Sequence, residues 1–308
     1  MRIRLTAAAA LMAATGLLAA ACSSASNSAD TAGSTPSACS SARTDAHQSG
    51  PAAEVPPQIR KTGVLVFGNN LGYPPWDEVS SGKPAGADVE LGDAIARQLD
   101  LCPKWSQLSF GTLITSLQDG RINLILSAMS DTKAREKVIN FVDYYNTPWG
   151  LLVPYGNPRH LTGLASLCGT DAAAESGTVG VTFLQQQDSK CHSLGRPPIQ
   201  ITTFDTDPDI QLAIRSGRVD CDLENYDALS YDARTLGGGK VFTALPLATL
   251  PSSPYGIGVA MSDPRLLTAV QAALSKVIAS GTYRRALSSY GLPAAGFVPA
   301  ARINHATF

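Results

Sequence analysis

The chain predicts an α/β fold in two lobes, each a mostly parallel sheet flanked by helices. Short apolar runs alternate with segments of helical periodicity from about residue 64 to residue 244, the pattern of parallel strands covered by crossover helices. A break of proline, glycine and asparagine at 154–158 divides that alternation into two series, as turn chemistry does between packed units. About 250 structured residues suffice for one large or two small domains. There is no internal sequence repeat.

The elements follow in order. Residues 1–4 carry two arginines and residues 5–21 an alanine- and leucine-rich apolar run. This reads as a signal peptide, because the run is short and weakly hydrophobic for a bilayer span. Leu18-Ala19-Ala20-Ala21-Cys22 resembles a lipoprotein cleavage box with Cys22 as the lipidated residue. Ala19 departs from it, since the box usually has leucine there, and cleavage at an Ala-x-Ala site to give a soluble protein is the competing reading. Residues 23–53 are rich in Ser, Ala, Thr, Gly and Pro, too poor in bulky apolar groups to order themselves. With Cys22 they make a flexible tether over 22–53, spanning roughly 30 Å as a coil of about 31 residues.

A strand over 64–67 opens the folded part. The loop from Asn69 to Trp76 contains two prolines and a glycine, which exclude regular structure, and loops leaving strand ends are where open α/β sheets bind ligands. Asp88 is read as the N-cap of a helix in which Leu91, Ile95 and Leu99 keep helical spacing. A helix over 112–119, ended by Gly120, leads to a strand over 123–127. After the break at 154–158, read as the first crossing between lobes, come strands near 171–174, 199–204, 220–223 and 241–244. Helices beginning near 179, 208 and 226 alternate with them.

Residues 126–148, LSAMSDTKAREKVINFVDYYNTP, are the most informative stretch. An apolar strand end passes through Ser127, Ser130 and Thr132 into a segment of helical character that carries Arg135. Free backbone N–H groups and a guanidinium at such a turn suit an anion. A capped helix with a surface arginine fits these residues equally well.

The M-S-x-T-x-x-R segment at 129–135, with KTGVLVFGNNLGYPPW and GADVELGDAIARQL upstream, resembles the amino-acid-type extracellular solute-binding proteins of ABC importers. The likeness covers roughly residues 55 to 303. It implies a two-lobed, periplasmic-binding-protein-like fold with a two-strand hinge, in which residues 254–259 return the chain to the first lobe and the helix over 264–280 packs there. Lobe I is then 54–152 with 255–308, and lobe II is 153–254. Ligand belongs in the cleft between them.

The resemblance also implies roles. Tyr73 and Phe110 would sandwich the ligand side chain, and Trp76 would either line the cleft or pack under its loop. Arg135 would hold an α-carboxylate with Ser130 and with backbone N–H groups at Ser176-Gly177-Thr178, where Thr178 adds a hydroxyl. Ser127 and Ala128 would offer carbonyls to an ammonium. Asn225 falls where the family has an aspartate for the α-ammonium, and an amide brings no charge to that bond. Glu224 and Asp227 are near it in sequence, but alternation along a strand turns Glu224 away. Asn70 sits where binders of cationic amino acids often place an acid. Both departures count against arginine or lysine and leave a polar neutral amino acid, or a carboxylate without an α-ammonium.

Beyond Cys22 there are Cys39, Cys102, Cys168, Cys191 and Cys221, an odd set for an exported chain, so at least one thiol stays unpaired. Cys168 and Cys191 bracket a strand and helix of the second lobe, and some relatives carry cysteines at both places, which implies a disulfide. Cys39 with Cys102 would pin the tail to lobe I, and Cys221 reads as a small apolar residue. Four histidines without close Cys/His spacing imply no metal. A balance of 24 basic against 25 acidic residues excludes a nucleic-acid footprint.

The expected protein is a monomeric, cofactor-free solute-binding lipoprotein on the outer face of the cytoplasmic membrane, or in a periplasm. It would capture an amino acid or related small carboxylate and deliver it to an ABC permease. The rivals are an exported cyclohexadienyl or arogenate dehydratase-like enzyme, with Glu175 or Glu224 as the required acid, and a ligand-sensing partner of a membrane receptor. No Gly-x-Ser-x-Gly elbow or catalytic dyad is present in the sequence.

Overall fold

The computed structural model describes residues 49–308. Cys22, Cys39 and the tether up to residue 48 lie outside the described residues. The first series comprises α1 (Pro57–Thr62), β1 (Val64–Asn69), the hairpin β2 (Glu78–Ser80) and β3 (Lys83–Ala85), α2 (Ala87–Gln98), β4 (Cys102–Gln107), α3 (Leu113–Gln118), β5 (Leu124–Ile125) and β6 (Ile139–Thr147). The second comprises β7 (Trp149–Pro154), β8 (Asp171–Glu175), α4 (Val179–Ser193), β9 (Gln200–Phe204), α5 (Asp207–Arg215), β10 (Cys221–Asn225), α6 (Tyr226–Thr235) and β11 (Phe242–Pro246). The chain then returns through β12 (Ser253–Ala260), α7 (Pro264–Ala279), α8 (Thr282–Ser289) and β13 (Phe297–Ile303).

Two sheets result. In lobe I the order is β13-β6-β12-β5-β1-β4, and in lobe II β11-β7-β10-β8-β9. Pairs joined through crossover helices are parallel: β1 with β4 and β5, and β8 with β9 and β10. Strands that enter from the hinge add antiparallel, as β12 does beside β5 and β6, and β7 beside β10 and β11. Each lobe buries its own core. Leu65, Phe67, Leu91, Ile95 and Leu274 belong to lobe I, and Leu151, Ala172, Leu184 and Leu223 to lobe II. The spacing of Leu91, Ile95 and Leu99 does place one apolar face of α2 inward.

Three expectations change. Because β7 pairs with β10 and β11, residues 149–154 already belong to lobe II, so the first crossing is at Pro148 and not at 154–158. The proline- and glycine-rich stretch is the turn after β7; one proline between two strands makes the crossing. The second crossing is 247–252, and lobe I resumes at Ser253. The helical character expected after Ser130 shrinks to a 3-10 turn at Arg135–Lys137. It gives way to the nine-residue strand β6, whose Ile139, Phe141, Val142, Tyr144 and Tyr145 are all buried and whose β-branched and aromatic residues favour a pleated sheet.

The end of the expected tether is also ordered. Residues Gly50–Glu54 form a 3-10 turn with Pro51 and Ala52 buried, and the Arg60 guanidinium donates to the carbonyls of Ala52, Ala53 and Val55 at 3.3, 3.0 and 2.9 Å. Cys168 and Cys191 are bridged with Cα atoms 5.6 Å apart. Cys102 is disulfide-bonded, and Cys221 is a buried free thiol.

Residues 304–308, expected in lobe I alone, span both lobes. Asn304 Oδ1 accepts from Phe141 N, and Ala306 N donates to Glu136, at 2.8 and 3.0 Å. Thr307 Oγ1 donates to Ser252 O at 2.7 Å, and Lys133 N to Phe308 O at 2.9 Å. The Phe308 ring then sits 5.6 Å from Phe183 and 6.4 Å from Trp149, both in lobe II. Phe308→Ala is expected to cost about 1–2 kcal/mol, below a fully buried phenylalanine because the ring is half-buried. A melting temperature lower by a few degrees would register it; an unchanged one would mean that the ring does not join the lobes in solution.

Candidate functional site

The cleft is built where strands end. β1 and β5 run parallel, and their carboxyl ends are stitched together before either chain turns away. Asn69 Nδ2 donates to Leu126 O at 2.8 Å and to the Asp77 carboxylate. Asn70 N donates to Ser127 Oγ at 2.9 Å. Ala128, at φ 45°, donates its N–H to Asp88 Oδ2 at 2.7 Å. Asp88 is therefore not the N-cap of α2, a position held by Gly86. It points inward to fix the β5 exit, and burial pushes its carboxyl up to about 7 despite the Ala128 bond.

Between the lobes lies a tightly closed cavity, about 360 Å³ of empty space when what opens to solvent is counted in. Lobe I contributes Asn70, Tyr73, Phe110, Ser127, Ala128, Ser130 and Arg135; lobe II contributes Trp149, Glu175, Thr178, Val179, Glu224 and Asn225. Arg135 reaches across the opening. Its Nη1 donates to Ser130 O at 2.7 Å and its Nη2 to Gly177 O at 2.9 Å, while the guanidinium lies 5.5 Å from the Phe110 ring centroid. Of five N–H donors on an arginine, these use two and leave three for an anion. Desolvation lowers its pKa to about 10, so it remains cationic at neutral pH.

Lobe II meets this wall closely. Asn70 Nδ2 donates to Glu175 across the cleft. Gly177, at φ 82°, approaches Gly111 so nearly that a Cβ would lie 2.8 Å from the Gly111 Cα, a contact only glycine makes without strain. The structure is thus a closed one.

Of the residues expected in the site, Tyr73, Phe110, Ser127, Ala128, Ser130, Arg135, Thr178 and Asn225 line the cavity. Two do not. Trp76 is fully buried in the hinge core, its ring 4.8 Å from Tyr145 and 5.2 Å from Tyr255 with Nε1 donating to Asp227; its indole N–H draws it inward, where phenylalanine would have no such bond. Ser176 turns away because its N–H is taken by Phe204 O at 2.7 Å as β8 and β9 finish pairing. The reverse correction applies to Glu224, expected to point away. It lines the cavity, because β10 ends there and the side chain folds back to accept from Asn225 N at 3.0 Å.

Glu175 and Glu224 dominate the electrostatics. Both are buried, and neither forms an ion pair among the described residues. Burial first, then repulsion from Glu224, pushes Glu175 up to about 9. Burial, eased by the Asn225 N–H, puts Glu224 at about 8. Trp149 Nε1 and Asn225 Nδ2 are buried at the cavity without partners. Sequence reasoning named the two glutamates as possible enzymatic acids, weighed Glu224 beside Asn225 and turned it away by strand alternation, and did not place Trp149 or Val179 in the site. Among the described residues no group of His, Cys, Asp and Glu is arranged to hold a metal ion, and no helix is long and apolar enough to cross a membrane.

Bacterial extracellular solute-binding proteins, family 3, match this chain over residues 65–293, from β1 to just beyond α8. The chain belongs to this family. Its similar relatives include arginine-binding protein ArgT of Corynebacterium glutamicum, 25% identical over 78% of this chain and 78% of that one. The L-arginine-binding protein of Pseudomonas aeruginosa is 27% identical over 73% and 86%. A crystallised mutant of ArgBP from T. maritima superposes with a TM-score of 0.67 at 26% identity, covering 76% of this chain and 97% of the other. An ancestral amino-acid-binding protein described as a precursor of cyclohexadienyl dehydratase has a TM-score of 0.68 at 22% identity, over 76% and 97%, a likeness of fold.

The raised carboxyls give the solute-binding domain a pH signature. From about 4.3, the ordinary glutamate value, to about 9, the native cleft keeps protons that the unfolded chain has released, so stability falls as pH rises through that window. Ligand-free protein is expected to melt lower at about pH 8 than at about pH 5. Glu175→Gln should flatten that slope; an identical slope would show that Glu175 is ionised throughout.

Proposed function

We propose that this protein captures an α-amino acid between its lobes and presents it, through lobe closure, to an ABC permease. What carries the reading is Arg135, a cation bonded to carbonyls of both lobes at the cavity mouth with donors to spare. An α-carboxylate placed there joins the lobes, and a ligand that contacts both walls favours the closed state over the open one. Membership of a solute-binding family and relatives named for arginine binding support transport over chemistry. The leader, Cys22 and the serine-rich tail fit a monomeric lipoprotein held on the outer face of the membrane.

One observation supports a second reading, a dehydratase on the same scaffold: Glu175, with its pKa near 9, is a protonated acid inside the cleft. Turnover of prephenate would establish it. Absence of turnover together with tight amino-acid binding would leave the transport reading.

Arg135→Ala is expected to weaken binding of every α-amino acid by about 30-fold or more in calorimetry, the scale for truncating one partner of a buried charge pair. Binding at unchanged affinity would place the carboxylate elsewhere in the cavity.

A further inference from the structure

The charges of the cavity do not balance. Its lining holds one cation, Arg135, and two carboxylates, Glu175 and Glu224. Behind them is a further acid: Asp222 is completely buried with both carboxyl oxygens unpartnered, and burial first, then Asp207, Glu224 and Glu175, pushes its pKa well up. No lysine, arginine or histidine among the described residues pairs with either glutamate. An amino acid with a neutral side chain brings one carboxylate and one ammonium, which leaves one glutamate either ionised without a partner or protonated. An uncompensated buried charge is costly, and in practice such a group neutralises.

The two glutamates also have different neighbours. Glu224 accepts from the Asn225 N–H and is one of the charges that act on Arg135. Glu175 lies instead at the Asn70 side, hydrogen-bonded across the cleft to that amide. An α-ammonium is one carbon from its α-carboxylate, which matches Glu224, the acid that acts on Arg135, to the ammonium and leaves Glu175 for a cation farther along the side chain.

We propose that Glu175 and Glu224 make this cleft selective for amino acids with a second cationic group, Glu224 taking the α-ammonium and Glu175 the cationic end of the side chain. This rests on the preceding reading that Arg135 holds an α-carboxylate. It reverses what Asn225 and Asn70 suggest in the sequence, because each amide has a carboxylate beside it: Glu224 bonded to the Asn225 N–H and Glu175 to the Asn70 amide. Binding of such a ligand at neutral pH displaces the protons that both acids hold in the empty closed cleft.

The test is calorimetry on the intact folded protein with arginine, lysine and ornithine, with the uncharged analogues citrulline and glutamine, and with arginine lacking its α-amino group. The cationic ligands are expected to bind about 30-fold or more tightly than the uncharged ones. Glu175→Gln should remove most of that preference and leave glutamine and citrulline little changed. Glu224→Gln should weaken all α-amino acids alike and spare the deaminated analogue. Melting curves establish that both isosteric variants fold, and the ligand series on the unaltered protein is a measurement that needs no variant. Neutral and cationic amino acids of equal affinity would overturn the charge selectivity while leaving amino-acid capture intact. Binding of no α-amino acid would overturn both readings. A cationic preference that survives Glu175→Gln would remove Glu175 from the role.

Discussion

Closure of this protein turns on one carboxylate. Asp227, in the first turn of α6, belongs to lobe II, yet its oxygens accept from Trp76 Nε1 and Tyr255 Oη of lobe I and from Thr147 Oγ1 at the crossing itself. Trp76, Tyr144, Tyr145 and Tyr255 pack edge to face around the same point. Burial raises the pKa of Asp227 while the Thr147 and Trp76 bonds lower it, and an acceptor ringed by donors and aromatic faces fixes direction as well as distance. Pro148 and the 247–252 segment therefore leave and re-enter a rigid block, and the residues of the cleft are carried on strand ends whose positions the block determines.

That geometry explains why the cleft can hold two acids with no ion pair to either. The ends of β8 and β10 deliver Glu175 and Glu224 to a space that closure shields from water. In an open cleft, solvent would stabilise both as carboxylates; in a closed empty one they must take protons or repel each other. A cation from outside removes the choice. In the closed arrangement that buries the acids, Asn70 meets Glu175 and Arg135 meets Gly177, so desolvation and contact between the lobes go together. The alternation of α and β units needs none of this, which is why fold and selectivity are separate questions here.

Much of the architecture was legible in the chain because it rests on short-range pattern. The helical spacing of Leu91, Ile95 and Leu99, the stop at Gly120 and the glycines that turn the chain all report local conformation. β6 was not legible, because its aromatic residues follow a charged stretch, AREK, that favours helix by propensity, while the strand itself is fixed by long-range pairing with β12 on one side and β13 on the other. The crossing at Pro148 was hidden for a related reason: a single proline between two strands looks weaker than a run of prolines and glycines, yet sheet membership, a long-range property, decides where a lobe ends. Arg135, Tyr73 and Phe110, which motif likeness aligns, do line the cavity. At Glu224 strand alternation gave the wrong direction, since that rule describes residues inside a ladder and Glu224 stands one residue from its end.

The same limit applies to reading ligand charge from aligned positions. Asn70 and Asn225 each look like a lost acid when taken singly, but the charge that a ligand meets is a property of a volume, set by every group within a few ångströms whatever strand it comes from. Glu175 comes from β8 and reaches the place of Asn70 from the opposite lobe, 105 residues away in sequence. An acid on lobe II at that place has a consequence that one on lobe I lacks: it meets the ligand only when the lobes come together, so its contribution belongs wholly to the closed state. A cation that pairs with Glu175 therefore acts on the closure equilibrium directly. A ligand without one must close the cleft through Arg135 and the aromatic walls alone, against the desolvation of an acid it does not answer.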